Sequence, residues 1–277
     1  MKFNPDNFWK PSYTMPAVVT IILLLIYSPT IAWMVDRWLA ADSYFSHGFL
    51  VPVVSLYIVW LKRNRLRTLK KAPLAWGVGL VILGLLIHVF SAFLRVYFTS
   101  AYSFLLVLCG LILYFRGWPA LRELAFPVGF LLFMIPLPLV AIVGITFKMK
   151  IFAAQCANKV INAMGVKAIL EGSIIKMRHT HVVVEDVCSG LRSLISLLAL
   201  GALVAYFSKL SRLKKVVVFL SAGVMAILAN VVRIVFMALT SEIYGAKFTE
   251  GFLHTLSGLI VFVIAFAGLM IVVKELE

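Results

Sequence analysis

The chain is organised by a succession of apolar runs, each near the ~20 residues that a helix needs to cross the hydrocarbon core of a bilayer. Eight can be marked: 17–35, 47–61, 74–94, 97–115, 123–143, 189–207, 216–240 and 251–273. The second is short, with Pro52 near its start. The fifth is interrupted by Pro127, Pro136 and Pro138. In lipid each segment must satisfy its own backbone hydrogen bonds, so runs of this kind form helices. The expected fold class is an all-α polytopic membrane protein of about eight transmembrane helices, with 1–277 as one integral membrane domain. Composition agrees. The chain is 63% hydrophobic and 13% charged, against about 45–50% and about 25% in soluble domains. That excludes disorder, which goes with low hydrophobicity, and an ordinary soluble enzyme, whose surface needs more charge. No cleavable leader is expected, because no small-residue cleavage site follows the first run.

The formal net charge is +15. A nucleic-acid binder needs a water-exposed basic face, but here the bases sit between apolar runs, so no nucleic-acid partner is expected. The positive-inside rule explains them instead. The stretch 62–71 carries six bases and no acid, and 208–215 carries four bases and no acid. The 116–122 loop adds Arg116 and Arg122. All three join an even-numbered span to the next odd one. The opposite loops are poor in bases, with Arg37, Arg95 and Lys247. Both termini are therefore expected in the cytoplasm. On that assignment the inner side has 15 bases and 4 acids, and the outer side 11 bases and 7 acids. The bases of 62–71 are expected to set topology and touch anionic lipid.

One long segment, about 144–188, falls between spans and is placed outside. It opens with apolar residues at steps of three or four (Ile145, Met149, Phe152, Cys156, Val160, Ala163), the pattern of a helix lying in the membrane interface. After Gly165, the runs AILEGSIIKM and HVVVEDV read as short strands, with Glu171-Gly172-Ser173 as a turn. The expected insertion is thus an extracytoplasmic amphipathic helix plus a β element.

Ionisable residues within or beside spans are functional candidates. Given this topology, three fall in one layer at the outer face. Cys188 precedes the sixth span, Arg233 lies about 10 Å from the outer end of the seventh at 1.5 Å per residue, and His254 opens the eighth. The chemistry gives each a job. A thiol at a helix N-terminus or beside a cation ionises more readily and becomes a nucleophile. A histidine takes and returns its proton, and an arginine holds an oxyanion. Arg192, four residues after Cys188, would share a helical face with it, and Asn230, three before Arg233, would orient the guanidinium or add a donor. Glu185 is close enough in sequence to orient His254 or pair with Arg192, although a solvated carboxylate at a strand end is the plainer reading. His47 begins the second span after a capping Ser46. Ser189 follows the thiol directly. His179 and His181 would alternate on one strand face, but a metal site would need a third ligand, and no metal or cofactor is expected. Cys109 and Cys156 read as small packing residues and His88 as hydrogen-bonded within the bundle. Pro136 and Pro138 break or kink the fifth helix.

Four motifs carry a family resemblance: Glu185-Asp186-Val187-Cys188-Ser189-Gly190-Leu191-Arg192-Ser193-Leu194, Asn230-Val231-Val232-Arg233-Ile234, His254-Thr255-Leu256-Ser257-Gly258 and Tyr44-Phe45-Ser46-His47-Gly48-Phe49-Leu50-Val51-Pro52. In this order and over about 30–270 the chain resembles the exosortase/archaeosortase family of membrane transpeptidases. The family commonly has Ala where this chain has Val187, and Tyr where it has Phe45. Neither difference removes a reacting group. The resemblance implies a cysteine transpeptidase or protease of the bacterial cell (inner) membrane with Cys188, Arg233 and His254 as catalytic residues. It also implies substrates: membrane-anchored proteins with a PEP-CTERM-like C-terminal sorting signal, made of a Pro-containing motif, an apolar span and a basic tail. The enzyme would cut near the motif on the outer side and pass the protein to an acceptor. It links bacterial members to exopolysaccharide producers.

The residues leave rivals open. An acyltransferase could use His254 without a covalent cysteine. A transporter would use Arg233 as an anion site, but should show polar groups near mid-membrane and paired halves. A scaffold for polysaccharide export would tolerate loss of Arg233. The sequence carries no signal of oligomeric state.

Overall fold

The computed structural model describes residues 14–41, 43–184, 190–245 and 252–277. These form eleven helices, a short 3₁₀ turn and one small sheet. The helices are α1 (Thr14–Ile26), α2 (Ser28–Leu39), α3 (Leu50–Leu61), α4 (Arg63–Thr68), α5 (Gly77–Phe93), α6 (Tyr97–Arg116), α7 (Trp118–Phe130), α8 (Leu139–Ala163), α9 (Leu191–Phe207), α10 (Arg212–Tyr244) and α11 (Phe252–Leu276). Strands β1 (Ile169–Glu171), β2 (Ile174–Lys176) and β3 (His181–Val183) lie between α8 and α9.

By length and apolarity, α6, α8, α10 and α11 can each cross a membrane, and α1 and α2 pass the same test as a pair bent by 65°, the geometry of a broken span or a re-entrant loop. Three further apolar helices are shorter: α3 has 12 residues, and α5 and α9 have 17 each. Seven of the eight expected runs are therefore three full-length helices (α6, α10 and α11), one bent pair and three apolar helices below the ~20-residue span. The first run bends where Pro29 enters, since proline removes a backbone donor and crowds the preceding turn.

The fifth run departs most from expectation. It is not a helix over 123–143. α7 ends at Phe130, Leu131–Met134 form the 3₁₀ turn, and α8 starts at Leu139 with Pro138 as its N-cap. Pro136 and Pro138 terminate rather than kink, because the residue before a proline is pushed out of the helical region. The stretch 144–163 is in turn not a separate interfacial helix but the body of α8. Its buried residues are Thr146, Ala153, Ala154, Ala157 and Ile161. Large apolar residues of the expected stripe face outward, with Phe152 52% and Val160 42% exposed. In lipid large side chains gain nothing by hiding, and small ones let helices approach.

The chain divides into two compact units. The first holds the described residues up to Arg37 together with Val59–Val128. Its centre is the α5–α6 pair, where Gly77 and Gly110 bring backbone against backbone. A Cβ on Gly77 would stand 2.7 Å from the Gly110 carbonyl. Buried polar side chains pair across helices. Tyr27 Oη meets Ser103 Oγ at 2.8 Å, while Ser100 Oγ meets Thr30 Oγ1 at 2.6 Å and His88 Nδ1 at 2.7 Å. Of the basic stretch, Lys62 and Arg65 hold the Glu123 carboxylate at 3.4 and 2.7 Å.

The second unit, Trp38–Ile58 and Gly129–Glu277, holds every described candidate site residue. Its axis is α10, whose 33 residues reach about 50 Å at 1.5 Å each. One face buries Val218, Ala222, Ala226, Asn230, Ile234, Ala238 and Ser241, mostly small residues four apart. The stripe Leu220, Val224, Leu228, Val232 and Phe236 is exposed. On the buried face α10 meets α9 closely: a Cβ at Gly201 would stand 2.5 Å from that of Ala222. α11 adds Ala265, Leu269 and Val273 to this core.

The antiparallel sheet, in order β1-β2-β3, packs Ile175 and neighbouring Val184 against Ala153, Ala154, Ala157 and Ile161 of α8 and Ile234 and Ala238 of α10. Its first hairpin turns on Gly172, at φ +63, within the expected Glu171-Gly172-Ser173 segment. The Met177 N–H bonds the Thr180 carbonyl at 2.9 Å and closes the second turn. His179 lies in that turn and not on a strand, so it does not share a strand face with His181. Its backbone N–H donates to the Glu242 carboxylate near the end of α10.

Candidate active site

The site is built around the one amide on the buried face of α10. Asn230 is 5% exposed, and among the described residues its Nδ2 has no hydrogen-bond partner. Above it sits Gly190, the N-cap of α9, at φ +83. That left-handed conformation is open to glycine without strain. A Cβ there would also stand 2.7 Å from Asn230 Cγ and 3.0 Å from Nδ2. Two independent requirements therefore fix glycine at 190, and together they seat the start of α9 on α10 at Asn230.

Arg233, one turn beyond Asn230, is half-buried. Its Nε donates to Ser257 Oγ at 3.4 Å. The guanidinium also lies over Gly258, where a Cβ would approach Cζ to 3.4 Å. Ser257 is 5% exposed and stands three residues after His254 on α11, so the two positions share a helix face. The backbone of His254 lies in the first turn of α11, and its side chain is outside the described residues. Cys188, Ser189 and Glu185 also lie outside them.

Arg192 occupies the first turn of α9. The helix begins at Leu191 behind a left-handed Gly190. The expected common face of Cys188 and Arg192 lies outside the described residues.

His47 lies in the turn before α3, and its Nδ1 shares a 3.2 Å hydrogen bond with Ser196 Oγ on α9. Burial pushes its pKa below the ordinary imidazole value, partly offset by the Phe133 backbone carbonyl. The ring is therefore a neutral hydrogen-bonding group that ties its turn to α9. Beside it, a Cβ at Gly48 would run into the Trp38 indole, and Trp38 Nε1 donates to the Met134 carbonyl at 2.8 Å. Ser196, Trp38 and Ser257 were not singled out from sequence. The only signal was that Ser257 falls inside the His254 motif.

Between α8 and α10 a half-open cavity of about 230 Å³ is lined by Lys148, Met149, Phe152, Ala153, Ile227 and Asn230. Among the described residues no group of three His, Cys, Asp or Glu side chains is placed to hold a metal.

Compared with known families, residues 15–271 match the family described as transmembrane exosortase. The chain belongs to the transmembrane exosortase family. All four motifs fall inside the matched range. No curated protein and no solved structure gives a match. Membership and the long apolar helices together make this a multi-pass helical membrane protein, a transpeptidase of the exosortase kind acting on protein.

Proposed function

We propose that this exosortase is a cysteine transpeptidase that cleaves a C-terminal sorting signal at the outer face of a bacterial inner membrane. The signal is PEP-CTERM-like, with a Pro-containing motif, an apolar span and a basic tail. The Cys188 thiolate attacks the scissile carbonyl, and Arg233 stabilises the oxyanion. His254 accepts the thiol proton and delivers it to the leaving amine. The resulting thioester is resolved by an amine, a hydroxyl or water, which transfers or releases the protein. Asn230, Arg192, Ser189, Glu185 and His47 support the site.

One observation carries this reading. Arg233 lies against Ser257 and Gly258, one turn from His254, while the adjacent turn of α10 seats Gly190, which follows Cys188 with only Ser189 between them. Three separated segments thus meet at one level of α10. The base-rich loops 62–71 and 208–215 support cytoplasmic termini and an outer site.

The test is co-expression with a membrane reporter carrying such a signal. Cys188→Ala and Cys188→Ser should abolish cleavage, and Arg233→Ala should lower it about 10²–10³-fold. His254→Ala should lower it about 10²–10⁴-fold. Normal processing by both Cys188 variants contradicts the reading. Loss in the His254 variant alone would favour an acyltransferase without a covalent cysteine.

A further inference from the structure

The small sheet has two outer edges, and they are treated differently. At the start of β1 the Asn162 side chain of α8 takes both peptide groups of Ala168. Its Oδ1 accepts the Ala168 N–H at 3.1 Å, and its Nδ2 donates to the Ala168 carbonyl at 2.8 Å. An amide side chain there stands in for a neighbouring strand. The β3 edge has no such cover. The Val184 N–H bonds the Ser173 carbonyl and the Met177 N–H bonds the Thr180 carbonyl, each at 2.9 Å. These bonds set the phase of the β2–β3 ladder, so Val182, opposite Ile175, also faces β2. His181 and Val183 then turn their N–H and C=O groups outward. Both residues are exposed, and among the described residues no backbone group pairs with that edge. An open edge is a template for a further strand, commonly blunted by lysine, proline or a bulge. His181-Val182-Val183 has no lysine or proline, and its register is unbroken.

The place of the edge in the fold points to its occupant. α8 lies against β1 and β2, and α10 against β3, so the open edge faces away from α8. On α10 it is Arg233 that turns toward α11, against Ser257 and Gly258. The chain of β3 runs on into the stretch that carries Cys188, five positions after Val183. Lipid has no row of alternating donors and acceptors to match a strand edge, whereas an extended polypeptide does.

We propose that the free edge of β3 is the docking strand for the substrate, whose extended segment next to the scissile bond pairs with the peptide groups of His181 and Val183. The inference rests on the peptide-cleaving reading above. Pairing of this kind reads backbone, so it holds the segment in register whatever its side chains.

Backbone substitution tests it. The probe is a fluorescent decapeptide spanning the Pro-containing motif of the reporter, with analogues in which one non-proline amide at a time is N-methylated. They are titrated by anisotropy against detergent-solubilised Cys188→Ala protein, which needs no turnover. N-methylation removes a donor and puts a methyl into the ladder. Affinity should fall about tenfold at two residues two apart and by less than about threefold at the residue between them. Val183→Pro removes an outward N–H and spares the bonds to β2, a change that edge strands accept. It should weaken the unmethylated peptide about tenfold, whereas Val183→Ala, which keeps the N–H, should bind within about twofold. The methylation scan leaves the sheet untouched, so it decides the matter even where the proline variant unfolds. Uniform loss along the peptide, no peptide binding, or full binding by a folded Val183→Pro protein overturns the proposal. A flat scan with self-association that Val183→Pro abolishes gives the edge to a second copy of this chain and also overturns it. Cleavage of the reporter by the Cys188 variants would overturn the parent reading while leaving the alternating pattern intact.

Discussion

Gly190→Ala tests how the start of α9 is held. Two effects add. Alanine in the left-handed region costs about 1–2 kcal/mol. The new methyl would also stand 2.7 Å from Asn230 Cγ, 2.9 Å from its Cβ and 3.0 Å from Nδ2, and overpacking of that kind costs about 1–3 kcal/mol. The expected loss is therefore about 2–5 kcal/mol. Gly165 supplies the control. Its φ is +86, but nothing lies within 4 Å of an added Cβ, so Gly165→Ala carries the backbone part alone. In the Asn230→Ala background the Cγ and Nδ2 contacts are gone and only the Cβ contact remains. The double variant should recover about 1–2 kcal/mol of the packing loss, a coupling within the range for residues in contact. Thermal unfolding in micelles measures all four proteins. Reporter cleavage by Gly190→Ala should fall further than stability predicts, since a shift of about 1 Å at a reacting group can cost about 10²-fold. Equal losses at Gly190 and Gly165, with no coupling to Asn230, would refute the claim that α9 is seated on Asn230.

Other expectations follow from the same packing. Gly201→Ala should destabilise by about 1–3 kcal/mol through its collision with Ala222, and Ala222→Gly in the same chain should restore most of the loss. His47 gives a pH dependence. Its folded pKa is held below the ordinary 6.5 by burial, so on acidification the unfolded chain binds a proton that the folded chain refuses. Stability is then level above about pH 6.5 and falls below it, by up to about 1.4 kcal/mol per pH unit. His47→Gln should flatten that fall in unfolding curves measured at several pH values.

The sequence carries the helices of the second half of the chain well. The runs 189–207, 216–240 and 251–273 correspond to α9, α10 and α11 within a few residues at their ends, because each is unbroken and bounded by charge or glycine. The reading of 144–163 as a separate interfacial helix does not hold. On α8 the apolar steps from Ile145 to Ala163 read as one face of a separate helix in the membrane interface, whereas the structure makes them part of one helix from Leu139 that buries Ala153, Ala154 and Ala157 and turns Phe152 outward. With lipid as apolar as leucine, hydrophobicity no longer separates inside from outside, and small residues four apart do. The same rule, applied to α10, marks Asn230 as the amide among alanines. Arg233 and Asn230 were legible as candidates from depth and spacing. The seating of Gly190 was not, because it depends on a positive φ and on a contact between helices forty residues apart in sequence.

The central claim is covalent catalysis at Cys188, and the acyl-enzyme tests it most directly. Purified protein is incubated with the reporter, quenched in acid, digested and weighed peptide by peptide. A thioester adduct on the Cys188 peptide is expected, carrying the N-terminal substrate fragment and released by neutral hydroxylamine. Reporter turnover with no adduct on Cys188 at any time, and with turnover preserved in Cys188→Ala, would contradict the account.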